Sequence, residues 1–324
     1  MLLVFTLYAL FASVFTVAKG ALYYAAPFFL VGSRMAAAGI LMLGYALWRN
    51  RGSLYLTRNS IIRVVLLGIF NIYLTNVLEL WGLKYLTSFK TCFLYSLSPF
   101  LTAFMSYFML HEKLTSRKWL GLIIGFAGFV PMLEIHNGAE LLTTGFGFLT
   151  LAELSVLGAV LFSVIGWILL KQLVHQNGCP PSVANGYSML LGGTLALIQS
   201  AFFEDWTPVP VSNYPVWIKS TLFLIIVSNI ICYNLYGRLL RKFSTTFMSF
   251  AGLSTPLFTA LFGWIFHGEV VTVWFFVSLA VVFIGLLIFY FEELKGLEKR
   301  GGFVPLEKEG APPEILVPST IESS

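Results

Sequence analysis

Residues 98–103 read Ser-Pro-Phe-Leu-Thr-Ala, and residues 255–260 read Thr-Pro-Leu-Phe-Thr-Ala. The two stretches stand 157 residues apart, and the same shift carries Glu112 onto Glu269 and Gly128 onto Gly285. A Pro, a Thr-Ala pair and a Glu matched in one register mark an internal repeat of about half the chain. Composition decides what the halves are made of. Of 324 residues, 58% are hydrophobic and 11% charged, with a mean hydropathy of +0.84. Soluble domains carry about 25% charged residues because their surfaces face water, so an ordinary water-soluble enzyme is excluded.

Working outward from the repeat, apolar stretches long enough to cross about 30 Å of hydrocarbon are separated by Gly, Pro, Asn or charge clusters. They fall at 2–18, 27–48, 61–80, 88–110, 117–133, 145–170, 183–203, 215–237, 246–266 and 270–291. Strands of a membrane barrel would instead alternate apolar and polar residues over about ten positions. The predicted fold is therefore all-α, a polytopic membrane protein of ten transmembrane helices. Five spans per half is an odd number, so the two repeats enter the membrane in opposite senses, with Glu112 at the cytoplasmic face and Glu269 at the outer one. The expected organisation is a first five-helix repeat over 1–133, an outer connecting loop over 134–144, a second repeat over 145–291 and a disordered cytoplasmic tail over 292–324, where Glu, Lys, Gly and Pro replace the apolar residues.

Basic residues give the orientation. With the N-terminus in the cytoplasm, the inner loops hold Arg49, Arg51, Arg58, Arg63, Lys113, Arg117, Lys118, Lys171, Arg238, Arg241, Lys242, Lys295, Lys299, Arg300 and Lys308, and the outer loops only Lys19, Lys84, Lys90 and Lys219. Both termini are expected in the cytoplasm and the chain in a cell inner membrane. The net charge of +5 is thus explained by topology, and no nucleic-acid partner is expected. The N-terminus lacks a basic region ahead of its first apolar run, so a cleaved signal peptide is not expected. Cys92, Cys179 and Cys232 are widely spaced, and neither a disulfide framework, a metal site nor a cofactor is predicted.

Several of these pieces together resemble the drug/metabolite transporter superfamily, and within it the EamA type of ten-helix carrier. They are Phe11 to Lys19 followed by Pro27 and Arg34, Gly82-Leu83-Lys84-Tyr85, Ser98-Pro99 through Glu112-Lys113-Leu114-Thr115, Gly121 to Gly128, and the later Thr255-Pro256, Glu269 and Gly285. Phe11-Ala12 stands where the family commonly has Trp-Gly. The resemblance covers roughly residues 1–291 and implies a secondary carrier of a small organic metabolite that hydrolyses no ATP. Members handle amino acids, nucleotide sugars, purines, drugs and, in some intracellular bacteria, S-adenosylmethionine.

A polar group in hydrocarbon is costly, so it normally faces a cavity or a partner helix. In the third span Gly68, Asn71, Thr75, Glu79 and Gly82 recur at steps of three and four, one polar stripe along a helix. Glu79 could bind a cationic group or a coupling proton, or pair with Lys84 or Lys90. Glu153, three residues after Thr150, is the second intramembrane acid. Ser88, Cys92, Tyr95, Pro99, Thr102 and Ser106 line one face of the fourth span, and Thr245, Ser249, Gly252, Pro256, Thr259 and Gly263 repeat that spacing in the ninth. Such stripes suit close packing, while a symmetry-related pair of Pro-interrupted helices also points to a central carrier site, with Pro99 and Pro256 as helix breaks for gating. In the eighth span Asn229 and Tyr233 share a face, whereas Asn234 is left to bond a neighbouring helix. Trp167 reads as an interfacial anchor, and Arg34 as a side chain snorkelling to the interface or meeting a substrate carboxylate. The expected substrate-binding set is Glu79, Asn71, Thr75, Tyr95, Glu153, Asn229 and Tyr233. Two acids among many aromatic rings favour a substrate with positive charge and a flat ring, such as S-adenosylmethionine or an aromatic or basic amino acid. Proton coupling would use Glu79 or Glu153. Gly121, Gly125 and Gly128 could pair helices within the chain or in a homodimer. The rival classes are a membrane-embedded enzyme acting on lipid and a passive channel.

Overall fold

A computed structural model of the chain describes residues 2–49, 56–110, 115–128, 149–175, 177–240, 248 and 251–299. Glu112, the loop 134–144 and the tail beyond Lys299 lie outside the described residues. Among those described, the chain is all-helical and contains no β-strand. The helices are α1 (Leu2–Leu22), α2 (Pro27–Arg49), α3 (Arg58–Tyr85), α4 (Ser88–Tyr95), α5 (Ser98–Leu110), α6 (Ser116–Ala127), α7 (Leu151–His175), α8 (Pro181–Phe203), α9 (Tyr214–Leu239), α10 (Thr255–His267) and α11 (Val273–Lys299). By length and composition six of them, α1, α2, α3, α7, α8 and α9, are able to cross a membrane.

Local sequence sets the ends. Thr57 accepts a hydrogen bond from the Ser60 amide at the start of α3, and Asn213 does the same for Val216 at the start of α9. Gly268, at a φ of 62°, ends α10 in the left-handed conformation that glycine adopts at little cost. α11 runs eight residues past the expected boundary at Phe291, through a Glu-, Leu- and Lys-rich stretch of good helix formers, so the chain from Glu292 to Lys299 is helical where disorder was expected.

Two features depart from regular helices. The span expected to be continuous over 88–110 is broken between Tyr95 and Ser98, and Pro99 is the second residue of the restarted helix. In the later half a 3-10 turn, Gly252–Ser254, precedes α10, whose second residue is Pro256. Proline is tolerated there because the first-turn amides have no intrahelical partner. The second feature has no sequence counterpart: α3 widens into a π-helix over Gly68–Leu74, and α9 over Leu224–Cys232. The side chains of Thr75 and Asn76 donate to the carbonyls of Phe70 and Asn71, five residues back, at 2.8 and 3.1 Å.

Glycine fixes the two closest seams. Along α2 and α8, a Cβ on Gly39 would lie 2.6 Å from the Leu190 nitrogen. Along α6 and α11, a Cβ on Gly285 would lie 2.5 Å from the Gly125 nitrogen and 2.8 Å from the Gly121 oxygen. The small-residue face of Gly121, Gly125 and Gly128 is thus spent on packing within the chain.

One end of the bundle is knitted together by polar groups. The Lys19 ammonium donates to the carbonyls of Leu83, Lys84 and Leu86 at 2.8, 3.1 and 2.7 Å, capping the C-terminus of α3. Glu269 accepts from the Ser88 amide at 2.9 Å, and His267 Nε2 lies 2.7 Å from the Thr16 carbonyl oxygen. Glu204 accepts from the amides of Phe28 and Phe29 at 2.7 and 2.8 Å, a carboxylate from α8's end serving the N-terminus of α2.

Candidate functional site

α1, α2, α3, α4, α5, α7, α9 and α10 surround a cavity of about 140 Å³. Its polar wall comes mainly from α3, whose Asn71, Thr75, Asn76 and Glu79 all line it. Because the π-helical turn of α3 lies at this depth, Asn71 and Asn76 reach the same space, although an unbroken 3.6-residue helix separates them by about 140°. Tyr95 reaches the cavity at the end of α4, just before the break, and its hydroxyl donates to Glu79 Oε2 at 2.5 Å. Ser98 and Thr255, the first residues of the restarted helices, line the wall; Pro99 and Pro256, the second residues, do not.

Arg34 enters from α2. It is 1% exposed, and its Nη2 donates to Asn76 Oδ1 at 2.7 Å. Asn76 Nδ2 lies 2.9 Å from the Ile72 carbonyl oxygen and 3.4 Å from the Tyr233 hydroxyl, so α2, α3 and α9 meet in one polar string. Aromatic rings make up much of the remaining lining. Trp167 stands 5.3 Å from Tyr233 and 4.1 Å from Tyr236 between ring centroids, and Phe15 meets Tyr95 at 5.6 Å.

Of the seven expected binding residues, Asn71, Thr75, Glu79, Tyr95 and Tyr233 are brought to this cavity, and Glu153 and Asn229 are not. Glu153 is fully buried at the start of α7 and pairs with Lys90 Nζ at 2.8 Å. Its Oε2 accepts from the Thr150 amide while Thr150 Oγ1 accepts from the Glu153 amide, at 2.7 and 3.2 Å, the reciprocal helix-start motif announced by Thr-x-x-Glu. Asn229 lies on the π-helical stretch of α9, where the wider turn ends its alignment with Tyr233. It points at the sulfurs of Met35 and Met189, at 2.7 and 3.8 Å. Asn234 bonds the Ile230 carbonyl at 2.8 Å and meets Met42 of α2 at 3.0 Å.

Trp167, read as an interfacial anchor, is on the cavity wall, and Arg34, read as snorkelling or as meeting a substrate carboxylate, is buried there. Lys90 sits inside the bundle and not in an outer loop. Asn76, one residue off the polar stripe, went unnoticed because the stripe presumes 3.6 residues per turn throughout. Chemically the cavity offers a carboxylate, a guanidinium, two side-chain amides and aromatic faces, a set suited to holding a small polar molecule with a flat part.

The EamA-like transporter family model matches residues 1–133 and 150–291. The chain is 39% identical over 287 residues to a protein of Chlamydia muridarum named S-adenosylmethionine/S-adenosylhomocysteine transporter, covering 88% of this chain and 90% of that one. A protein of the same name from Chlamydia trachomatis serovar L2 is likewise 39% identical, over 88% and 87% of the two chains. The uncharacterized transporter YyaM of Bacillus subtilis is 24% identical over 89% and 91%. A solved crystal structure at 18% identity superposes with a TM-score of 0.62 over 89% of this chain and 93% of that one, a likeness of fold alone. With the family model matching both halves, this multi-pass membrane protein, a transporter of a small metabolite and not an enzyme, belongs to the EamA-like transporter family.

Proposed function

We propose that the chain carries S-adenosylmethionine and S-adenosylhomocysteine across a cell inner membrane, by exposing the central cavity to each side in turn. The observation that carries this reading is the cavity itself, lined by the partly buried Glu79 carboxylate of α3 and by aromatic rings from α7 and α9. A carboxylate attracts a positively charged group of such a molecule, and its adenine ring stacks on aromatic faces. The two chlamydial relatives, by their names, move these molecules.

The ten-span, inverted-repeat arrangement belongs to the same proposal. The 157-residue shift relates α1 to α7, α2 to α8, α3 to α9, α5 to α10, and α6 to α11. It also carries Gly68 and Leu74, the ends of one π-helical stretch, onto 225 and 231 within the other. Neighbours exchange in step: α3 packs on α7 as α9 packs on α1, and α1 packs on α10 as α7 packs on α4 and α5. In this orientation the end tied by Lys19, His267 and Glu269 is the outer one, closed, with both termini in the cytoplasm. Rocking the halves about the cavity would release those ties and open that end. Glu79 is the group for coupling to protons, should transport prove to be symport in place of exchange.

The test is counterflow of labelled S-adenosylmethionine into liposomes loaded with unlabelled S-adenosylhomocysteine. The expected result is saturable uptake that Glu79→Gln reduces at least tenfold; a parent protein that moves neither molecule refutes the proposal. For topology, tags placed after residue 112 and before residue 269 should be reached from opposite compartments, and access to both from one side refutes the inverted arrangement.

A further inference from the structure

We propose that Arg34 is the receptor for a substrate carboxylate and that Glu79 takes the neighbouring ammonium, so the site recognises an α-amino-carboxylate end and not the charge on a sulfur. This rests on the transport reading above and adds to it which part of the molecule the site reads.

Arg34 lines the cavity at 1% exposure with only Nη2 bonded, to Asn76. Its Nε and Nη1 find no hydrogen-bond partner among the described residues, and neither do Oδ1 and Nδ2 of Asn71, itself 1% exposed on the same wall. Glu79 is the buried arginine's electrostatic neighbour but forms no ion pair with it; Glu79 accepts a hydrogen bond from the Tyr95 hydroxyl. A guanidinium out of water needs an anion, and its planar fork of donors matches a carboxylate in two-point contact. The cavity is therefore lined by two opposite charges that form no ion pair with each other and by a side-chain amide with free donor and acceptor. A ligand that bears both a carboxylate and an ammonium completes all of these groups at once. A lone cation would satisfy Glu79 and leave Arg34 stranded.

S-adenosylmethionine and S-adenosylhomocysteine share that end and differ in sulfur charge, so one site of this kind accepts both at similar strength. The test uses the counterflow assay with three unlabelled competitors: S-adenosylhomocysteine, which keeps the carboxylate and lacks the sulfonium; decarboxylated S-adenosylmethionine, the reverse; and 5′-methylthioadenosine, which has neither. Against the parent protein, S-adenosylhomocysteine should compete within about threefold of S-adenosylmethionine. The decarboxylated compound should be about tenfold to a hundredfold weaker, the range of a lost charged hydrogen bond. In Arg34→Gln that gap should close to about threefold or less, and Arg34→Lys should keep part of it.

A parent protein inhibited equally by S-adenosylmethionine and its decarboxylated form overturns the Arg34 assignment and leaves the transport reading standing. A parent protein that takes up no labelled S-adenosylmethionine overturns both. Because the competitor series is decided on the unaltered protein, poor folding of Arg34→Gln does not blunt it.

Discussion

The pair formed by Lys90 and Glu153 permits a prediction with a worked magnitude. The ammonium and carboxylate lie 2.8 Å apart, with side-chain exposures of 1% and 0%. At an effective dielectric of about 20 the attraction is about 6 kcal/mol before desolvation is counted. Removing one partner leaves a charge in an apolar cluster that includes Phe89, Phe93, Ala152 and Val156, and should cost about 3–5 kcal/mol. Removing both leaves no stranded charge, so the double change should cost far less than the two single ones together. The assay is a double-mutant cycle of Lys90→Met, Glu153→Leu and the double variant, followed by denaturant unfolding in detergent with tryptophan fluorescence. The expected coupling is about 3 kcal/mol or more. Single variants that each lose less than about 1 kcal/mol and add without coupling would refute a dry ion pair. Since Glu153 is not on the cavity wall, Glu153→Gln protein that folds should keep the parent's apparent KM within about twofold.

Trp167→Ala removes the ring packed on Tyr233 and Tyr236; at about 0.5–1.5 kcal/mol for each aromatic pair, it should cost about 1–3 kcal/mol in the same unfolding assay. Gly39→Leu puts side-chain atoms where a Cβ would already stand 2.6 Å from the Leu190 nitrogen, and should cost about 1–3 kcal/mol in the same unfolding assay. Lys19→Met leaves three carbonyls at the end of α3 without their ammonium and should loosen the end proposed to be the closed outer one. Cys92, a cavity residue, should then react faster with a membrane-impermeant maleimide applied outside cells; an unchanged rate counts against Lys19 as a latch.

The helical segments were readable because long apolar runs, punctuated by Pro, Gly and charge, leave little choice once water is replaced by hydrocarbon. The stripe of Asn71, Thr75 and Glu79 and the positions of Tyr95 and Tyr233 followed from helical spacing alone. What escaped depended on partners distant in sequence. Nothing near Arg34 announces Asn76, 42 residues on, and a single basic residue near a span's end reads as an interfacial one. Lys90 and Glu153 are 63 residues apart, so their pairing was invisible, although Thr150-x-x-Glu153 was a legible helix-start signal. The π-helical stretches lie within ordinary apolar sequence, and they explain both Asn76, gained, and Asn229, lost.

The glycine seams between α2 and α8 and between α6 and α11 have a mechanical consequence. Where two backbones touch with no side chain between them, the contact tolerates rolling but has no give for spreading. Under the rocking motion proposed above, such a seam serves as a fulcrum: tilt that parts the bundle at one rim presses it shut at the other. On that proposal, opening both rims together would mean prising the seams apart, and the barrier against a free leak of metabolites would be built from residues that possess no side chain.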